Sequence, residues 1–122
     1  MIRTALIAVL TISAAPAHAY LAQNDLRVQR QGDRFEVLSS PGMGASRAWC
    51  AAGDYAMTIL ALPATTALWR VSEPPRKQGE GIVFALSPVG AATTSGLFQF
   101  GNDNDASLTA GAAQALCWGD AD

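Results

Sequence analysis

The sequence has almost no histidine. The single one among its 122 residues is His18, which lies in an N-terminal segment that we expect to be removed during export. A mature chain without histidine cannot form a Ser-His-Asp or Cys-His catalytic arrangement, nor a zinc site with a histidine ligand. No serine occupies a G-x-S-x-G turn, and no phosphate-binding glycine loop is present. We therefore expect no catalytic residues, no metal and no cofactor, and the sequence favours a protein that is not an enzyme.

Positive charge is also scarce. The chain has 8 lysine and arginine residues against 10 aspartate and glutamate residues, and loss of Arg3 with the N-terminal segment makes the balance more negative still. Binding to a nucleic-acid backbone depends on an excess of basic residues, and binding to anionic lipid depends on a segment rich in lysine and arginine. Neither feature is present, so we expect neither nucleic acid nor a membrane surface as a partner.

Long apolar runs are missing as well, since no stretch reaches the roughly 20 residues that a membrane-spanning helix needs. The N-terminus instead has the three parts of a secretory signal peptide: a positive charge at Arg3, an apolar stretch over 5–12 and an A-x-A pattern at 17–19. We predict a cleaved signal peptide over 1–19, no stable membrane insertion after cleavage, and a periplasmic or secreted location. Residues 20–122 then have the length of one typical domain.

Only two cysteines are present, Cys50 and Cys117. In an oxidising compartment, an even number of cysteines in a small domain indicates a disulfide bond, and two cysteines allow only one pairing. The alternative is a catalytic or metal-binding thiol, which would lack both a C-x-x-C spacing and a histidine partner. We therefore predict that Cys50 and Cys117 are joined.

The first half of the domain has a clear periodicity. After a lead-in over 20–24, apolar and polar residues alternate over 25–39 around a turn at 31–33, which predicts a β-hairpin. Apolar residues then recur at helical spacing from a cap at Ser46 to a stop before Pro63. Arg47, Asp54 and Thr58 fall on the polar side of that helix. Gly53 is tolerable there if another strand or helix must approach its backbone.

The second half alternates strands and loops. The composition predicts strands over 66–72, 82–86 and 94–100, with a polar surface loop over 73–81, and an alanine-rich helix over 108–118. Short connections favour antiparallel pairing, and the amphipathic first helix needs a sheet face to cover. The predicted fold is α+β: a small antiparallel sheet of about five strands packed against two helices, with one disulfide.

Two groups of exposed residues are candidates for binding. Arg76 and Lys77 follow two prolines in the long loop, where restricted charges can form a binding loop, although charged loops are usually only solvated. Three tryptophans could line a groove. Trp49 and Trp69 lie on apolar faces and are better explained by core packing, whereas Trp118 is the one expected to be exposed.

Two further patterns resemble functional sites but fail on inspection. The acidic and amide residues over 102–105, with Ser107, look like the start of a calcium loop, yet the positions that need glycine and an acid are Leu108 and Gln114. A turn in which Asp105 or Ser107 caps the last helix explains them better. Glu36 and Asp54 could act as an acid and a base, but nothing in the sequence places them across one cleft.

Three segments carry a resemblance to a known group: WCAAGDYA at 49–56, VFALSP at 83–88 and AQALC at 113–117. With the two cysteines, they make the chain similar to a group of small exported, uncharacterised proteins of Gram-negative bacteria. The resemblance implies a periplasmic or secreted domain with its cysteines paired. It implies no activity and no site residues.

These observations favour a non-enzymatic exported binding or structural domain of the cell envelope, with an envelope protein or cell-wall material as its partner. The alternative is a small inhibitor of a cell-wall-degrading enzyme, which would present the loop over 72–81, or a minor hydrolase, in which two acids would converge in a pocket.

Overall fold

The computed structural model describes residues 19–97 and 105–118. These residues form an α+β fold with one antiparallel sheet, two helices and one disulfide, which confirms the predicted class. The strands are β1 (Tyr20–Leu21), β2 (Arg27–Gln31), β3 (Arg34–Val37), β4 (Ala67–Arg70), β5 (Ile82–Ala85) and β6 (Ser107–Thr109), and the helices are α1 (Ala45–Thr58) and α2 (Ala110–Ala115).

The sheet has six strands in the order β1-β2-β3-β5-β4-β6, and every neighbouring pair is antiparallel. The hairpin β2–β3 lies where the alternation predicted it, and β4 and β5 lie within the segments 66–72 and 82–86 that the composition predicted as strands. The two edge strands were not predicted, because β1 and β6 have only two and three residues, too few to show a period.

The strand predicted over 94–100 is wrong over 94–97, where the chain forms no strand; 98–100 lie outside the described residues. The reason is local hydrogen bonding by side chains. The hydroxyl of Thr94 accepts from the Gly96 amide, and the hydroxyl of Ser95 accepts from the Leu97 amide. Such bonds compete with a strand ladder, so β-branched composition alone does not produce a strand here.

Helix α1 begins two residues earlier than predicted, because its N-cap is Gly44 instead of Ser46. Residues 48–56 of the helix are all buried, so it has no solvated middle. One side packs on β2 and β3, and another side packs on α2. The amphipathic pattern predicted that Asp54 faces solvent. That prediction is wrong, because Asp54 is buried and only 5% exposed.

An aromatic cluster joins α1 to the sheet. Trp49 meets Phe84 edge to face with ring centroids 4.7 Å apart, and Phe35 lies 4.9 Å from Tyr55 and 6.0 Å from Phe84. The buried indole nitrogen of Trp49 donates to the backbone carbonyl of Ser95 at 2.9 Å. Trp49 is thus a core residue, as predicted, with its one polar atom satisfied.

Helix α2 begins at Ala110 and is capped by Thr109, whose hydroxyl accepts from the Ala112 amide. The predicted helix over 108–118 and its cap at Asp105 or Ser107 are therefore corrected, because the preceding residues pair with β4 as strand β6. Cys117 follows the helix in a turn and is bonded to Cys50, with 4.9 Å between the two Cα atoms. The bond ties the end of the α2 segment to the first half of α1.

Gly53 allows α2 to approach α1 closely. A Cβ atom at this position would lie 2.5 Å from the Gln114 amide nitrogen and 2.8 Å from the Ala110 carbonyl oxygen. Both are backbone atoms, which cannot rotate away. The glycine in the middle of the helix therefore serves the close approach that the sequence allowed for.

Replacing both cysteines with alanine is expected to lower the free energy of unfolding by about 2–4 kcal/mol, because the bond closes a loop with a sequence separation of 67 residues. Urea unfolding of the Cys50→Ala/Cys117→Ala variant, compared with the oxidised protein, measures the loss. An unchanged midpoint would show that the bond does not contribute to stability.

Gly53→Ala is expected to destabilise the protein by about 1–3 kcal/mol, since α2 must move to admit the methyl group. Helix propensity alone gives the opposite sign, a gain of about 1 kcal/mol. Thermal unfolding of this variant decides between the two, and a raised melting temperature would contradict the close approach.

Candidate functional site

Exposed apolar side chains gather at one end of the fold. Among the described residues, five large hydrophobic side chains are exposed: Leu21 (57%), Ile59 (51%), Leu86 (43%), Val89 (75%) and Trp118 (71%). All but Trp118 line one of two cavities that lie side by side. We call these four residues and the two cavities between them the apolar surface.

The first cavity has a volume of about 370 Å³ and lies where the β2–β3 turn, the end of β5 and the last turn of α1 meet. Phe35, Tyr55 and Leu60 form part of its wall, and Leu86 and Val89 flank it from the segment after β5. Apolar side chains exposed singly are common on proteins, whereas a cluster around a concave surface is typical of binding sites.

The second cavity has a volume of about 390 Å³ and lies between β1 and the end of α1, where Leu21 and Ile59 are exposed. Arg30 and Tyr55 line both cavities, so the two adjoin at these side chains. Together they present apolar surface interrupted by a guanidinium group.

The charged residues at the first cavity give it a positive balance. Among the described residues of its lining, only Arg30, Arg34 and Asp33 are charged. Arg30 donates through Nε to the carbonyl of Gly32 at 3.1 Å, which holds the guanidinium close to the turn. A carboxylate on a bound segment would therefore find a complementary charge here.

Asp54 holds the wall of the second cavity in place. Its Oδ2 accepts from the Tyr20 hydroxyl at 2.9 Å and from the Gln23 amide at 3.0 Å, and its Oδ1 accepts from the Thr58 hydroxyl at 3.1 Å. These bonds join β1 and the following turn to α1. Burial, and then the hydrogen bond to Asp54, raise the pKa of the Tyr20 phenol above its usual value.

The other candidate acid, Glu36, lies on β3, where it accepts a hydrogen bond from the Gln31 side chain at 2.9 Å. Residues 19–97 and 105–118 contain no group of three or more histidine, cysteine, aspartate or glutamate residues that could hold a metal ion. Of the residues in the calcium-like run, 102–104 lie outside the described residues, and Asp105 accepts from the Ser107 amide in a local turn.

Arg76 and Lys77, the two cations of the predicted binding loop, differ in their exposure. Lys77 is exposed, whereas Arg76 is partly buried and donates to the carbonyls of Glu80 (2.9 Å) and Met43 (3.3 Å) and to the Ser39 hydroxyl (3.2 Å). Arg76 also lines a separate cavity of about 280 Å³ together with Arg70. We call this the arginine cavity.

Trp69 is partly buried on the sheet face opposite Leu68 and Arg70, and Trp118 is exposed as expected, away from both cavities of the apolar surface. Sequence analysis missed Arg70, although its alternation with Leu68 in β4 was a signal that both face the core. It also missed the apolar surface, since Leu86 and Val89 follow β5 and Ile59 ends α1, and only the fold brings these segments together.

No protein-family model, no curated protein and no solved structure matches this chain. The resemblance to small exported proteins therefore stays a prediction, and function has to be argued from the sites themselves.

The stability of the fold is expected to fall as the pH rises through and beyond 10. The folded-state pKa of Tyr20 is raised above the value of about 10 expected in the unfolded chain, so its contribution is present below pH 10 and is lost as the phenol ionises. In Tyr55→Phe, tyrosinate absorbance reports Tyr20 alone, because the chain has two tyrosines. A titration midpoint of Tyr20 below pH 10 would contradict the prediction. So would a Tyr20→Phe variant that loses as much stability above pH 10 as the unchanged protein does.

Proposed function

We propose that this chain is an exported, non-enzymatic binding domain of the cell envelope that holds a partner protein on its apolar surface. The observation that carries the proposal is the clustering of Leu21, Ile59, Leu86 and Val89 around two adjoining cavities. A surface of this kind excludes water when an apolar partner covers it, which is the main source of affinity in protein recognition.

The proposed location outside the cytoplasm is supported by the Cys50–Cys117 bond. Structural disulfides persist in oxidising compartments such as the periplasm and the extracellular space, and are rare where thiols are kept reduced. No helix within the described ranges is long and apolar enough to cross a membrane. The first strand begins at Tyr20, the residue that follows the proposed signal-peptide cleavage site.

The proposed partner segment is apolar with at least one acidic residue. Cavities of 370 and 390 Å³ have room for apolar side chains of a bound segment. Arg30 and Arg34 outnumber Asp33 at the first cavity, so an aspartate or glutamate in the partner is favoured over a lysine. Cell-wall glycan alone would leave the exposed leucine, isoleucine and valine side chains without apolar contacts.

A hydrolase is less well supported than a binding domain. Asp54 accepts three hydrogen bonds that hold β1 on α1, and Glu36 accepts one from Gln31. Both carboxylates therefore have partners within the fold, and neither lines a cavity of the apolar surface.

The inhibitor hypothesis depends on the loop over 72–81. In its favour, the four hydrogen bonds from Arg76 to Ser39, Met43, Lys77 and Glu80 hold the loop in one conformation. Against it, the same bonds keep the guanidinium from projecting into the cleft of an enzyme. We rank this function second.

A displayed library of random 12-residue peptides tests the proposed function. Enriched peptides are expected to combine apolar residues with aspartate or glutamate. Ile59→Ser and Val89→Ser should each weaken a selected peptide about tenfold or more, because burying such a side chain contributes about 1.5–3 kcal/mol. Fluorescence anisotropy with the labelled peptide measures the affinities.

Trp118→Ser is the matched control, since Trp118 is exposed and apolar but lines neither cavity. It should leave peptide binding unchanged. The proposal fails if selected peptides bind equally well to all three variants, or if the purified protein turns over generic ester, peptide or glycan substrates.

A further inference from the structure

The arginine cavity lies at the N-terminal end of α1. Gly44 and Ala45 form part of its wall, and the N-cap Gly44 has no side chain to accept from the first amides of the helix. The first turn also contains no acidic residue. The amide groups of the first turn have no intrahelical acceptor and carry a partial positive charge, which favours an anion.

A buried guanidinium faces the same cavity. Arg70 is 2% exposed, lies on the core face of β4, and donates to the carbonyls of Ser72 at 2.7 Å and Ser95 at 3.1 Å. These bonds use Nε and Nη1, and Arg70 is one of the residues that line the cavity.

No described residue that lines the cavity carries a negative charge that could neutralise Arg70. Its hydrogen bonds go to carbonyl oxygens, and the acid whose charge acts on it, Glu73, is exposed and accepts from the amide and hydroxyl of Thr93. Burial lowers the pKa of the Arg70 guanidinium, as expected for a cation removed from water. An anion in the cavity would offset this desolvation.

Arg76 adds a second guanidinium to the wall. It too donates to backbone carbonyls and a hydroxyl, which fix its position without cancelling its charge. None of the described residues that line the cavity is acidic: they are Met43, Gly44, Ala45, Arg70, Pro74, Pro75, Arg76, Ile82 and Gly96. Two cations and a helix N-terminus thus converge on one concave space of about 280 Å³.

We propose that the arginine cavity is a binding site for an oxyanion, the carboxylate or phosphate group of a small molecule or of a partner. Arg70 and Arg76 supply charge-assisted hydrogen bonds, and the first amides of α1 supply backbone donors. The site is separate from the apolar surface, because it lies at the opposite end of a 14-residue helix, about 20 Å away. A result against one of the two proposals therefore does not bear on the other.

Amide NMR spectra of the oxidised protein, titrated with inorganic phosphate or sodium acetate at constant ionic strength, test the site. The amide signals of 45–47 should shift and saturate with at least one of the two, whereas matched sodium chloride should not produce a saturating shift. Tighter binding of phosphate would identify a phosphate ligand, and tighter binding of acetate a carboxylate.

Arg76→Gln should weaken the anion at least tenfold. Lys77→Gln is the matched control, because it removes the same charge from the next residue, which does not line the cavity. Gly44→Asp provides a second test, since a Cβ at Gly44 meets nothing within 4 Å and the new carboxylate would occupy the helix N-terminus. This variant should remove anion binding while the rest of the spectrum stays folded.

The proposal is overturned if neither anion gives a saturating shift at 45–47, or if Lys77→Gln weakens binding as much as Arg76→Gln does. Unchanged binding in a folded Gly44→Asp variant would also overturn it. None of these results would affect peptide binding at the apolar surface.

Discussion

The backbone carbonyl of Ser95 accepts two buried hydrogen bonds, and much of the structure is arranged around it. Trp49 donates from the helix layer at 2.9 Å, and Arg70 donates from the sheet at 3.1 Å. One oxygen thereby satisfies an indole and part of a guanidinium, each of which would cost about 1–3 kcal/mol if buried without a partner. Gly96 makes this possible, because at φ +77° and without a Cβ it lets the chain lie against the Arg70 guanidinium.

These contacts bury the middle of α1 and leave only its two ends at the surface. Residues 48–56 are enclosed by the sheet, by α2 and by the segment that contains Ser95. Small residues dominate this stretch, and Gly53 permits contact between helix backbones. Both candidate sites lie at the ends of the helix, with the arginine cavity at its start and the apolar surface at its finish.

The two sites would bind through different interactions, burial of apolar side chains at one and attraction of an anion at the other. At the apolar surface, exposed aliphatic side chains and two cavities favour a partner that removes water from them, with Arg30 and Arg34 adding a preference for acidic segments. At the arginine cavity, fixed guanidinium groups and amide dipoles favour a compact anion. A domain of this size can carry both because the disulfide and the Asp54 hydrogen bonds hold the helices and the first strand without using the exposed apolar side chains or the two arginines of the arginine cavity.

Local patterns predicted much of the fold. Alternation over 25–39 produced the β2–β3 hairpin, the helical spacing of Trp49, Ala52 and Ala56 produced α1, and the count of two cysteines predicted the bond between them. The failures have a common cause. The edge strands β1 and β6 are too short to show a period, and the hydroxyls of Thr94 and Ser95 turned an apparent strand into a loop.

The candidate sites were largely beyond prediction. Arg76 was singled out as a cation in a loop, but its alignment with Arg70 and the start of α1 depends on how β4 and the loop pack together. The amphipathic pattern predicts Asp54 on a solvated face, but Tyr20 and Gln23 cover that face and donate to its carboxylate.

The sequence by itself determined the class of fold, the four central strands, the long helix and the pairing of its cysteines, since each depends on residue spacing or on a count. Only the tertiary structure decided which charged residues are buried and which apolar residues meet at the surface. Those outcomes depend on contacts between residues far apart in the chain, such as Tyr20 with Asp54 and Trp49 with Ser95. No local periodicity encodes such contacts, because they arise from the packing of whole elements against one another.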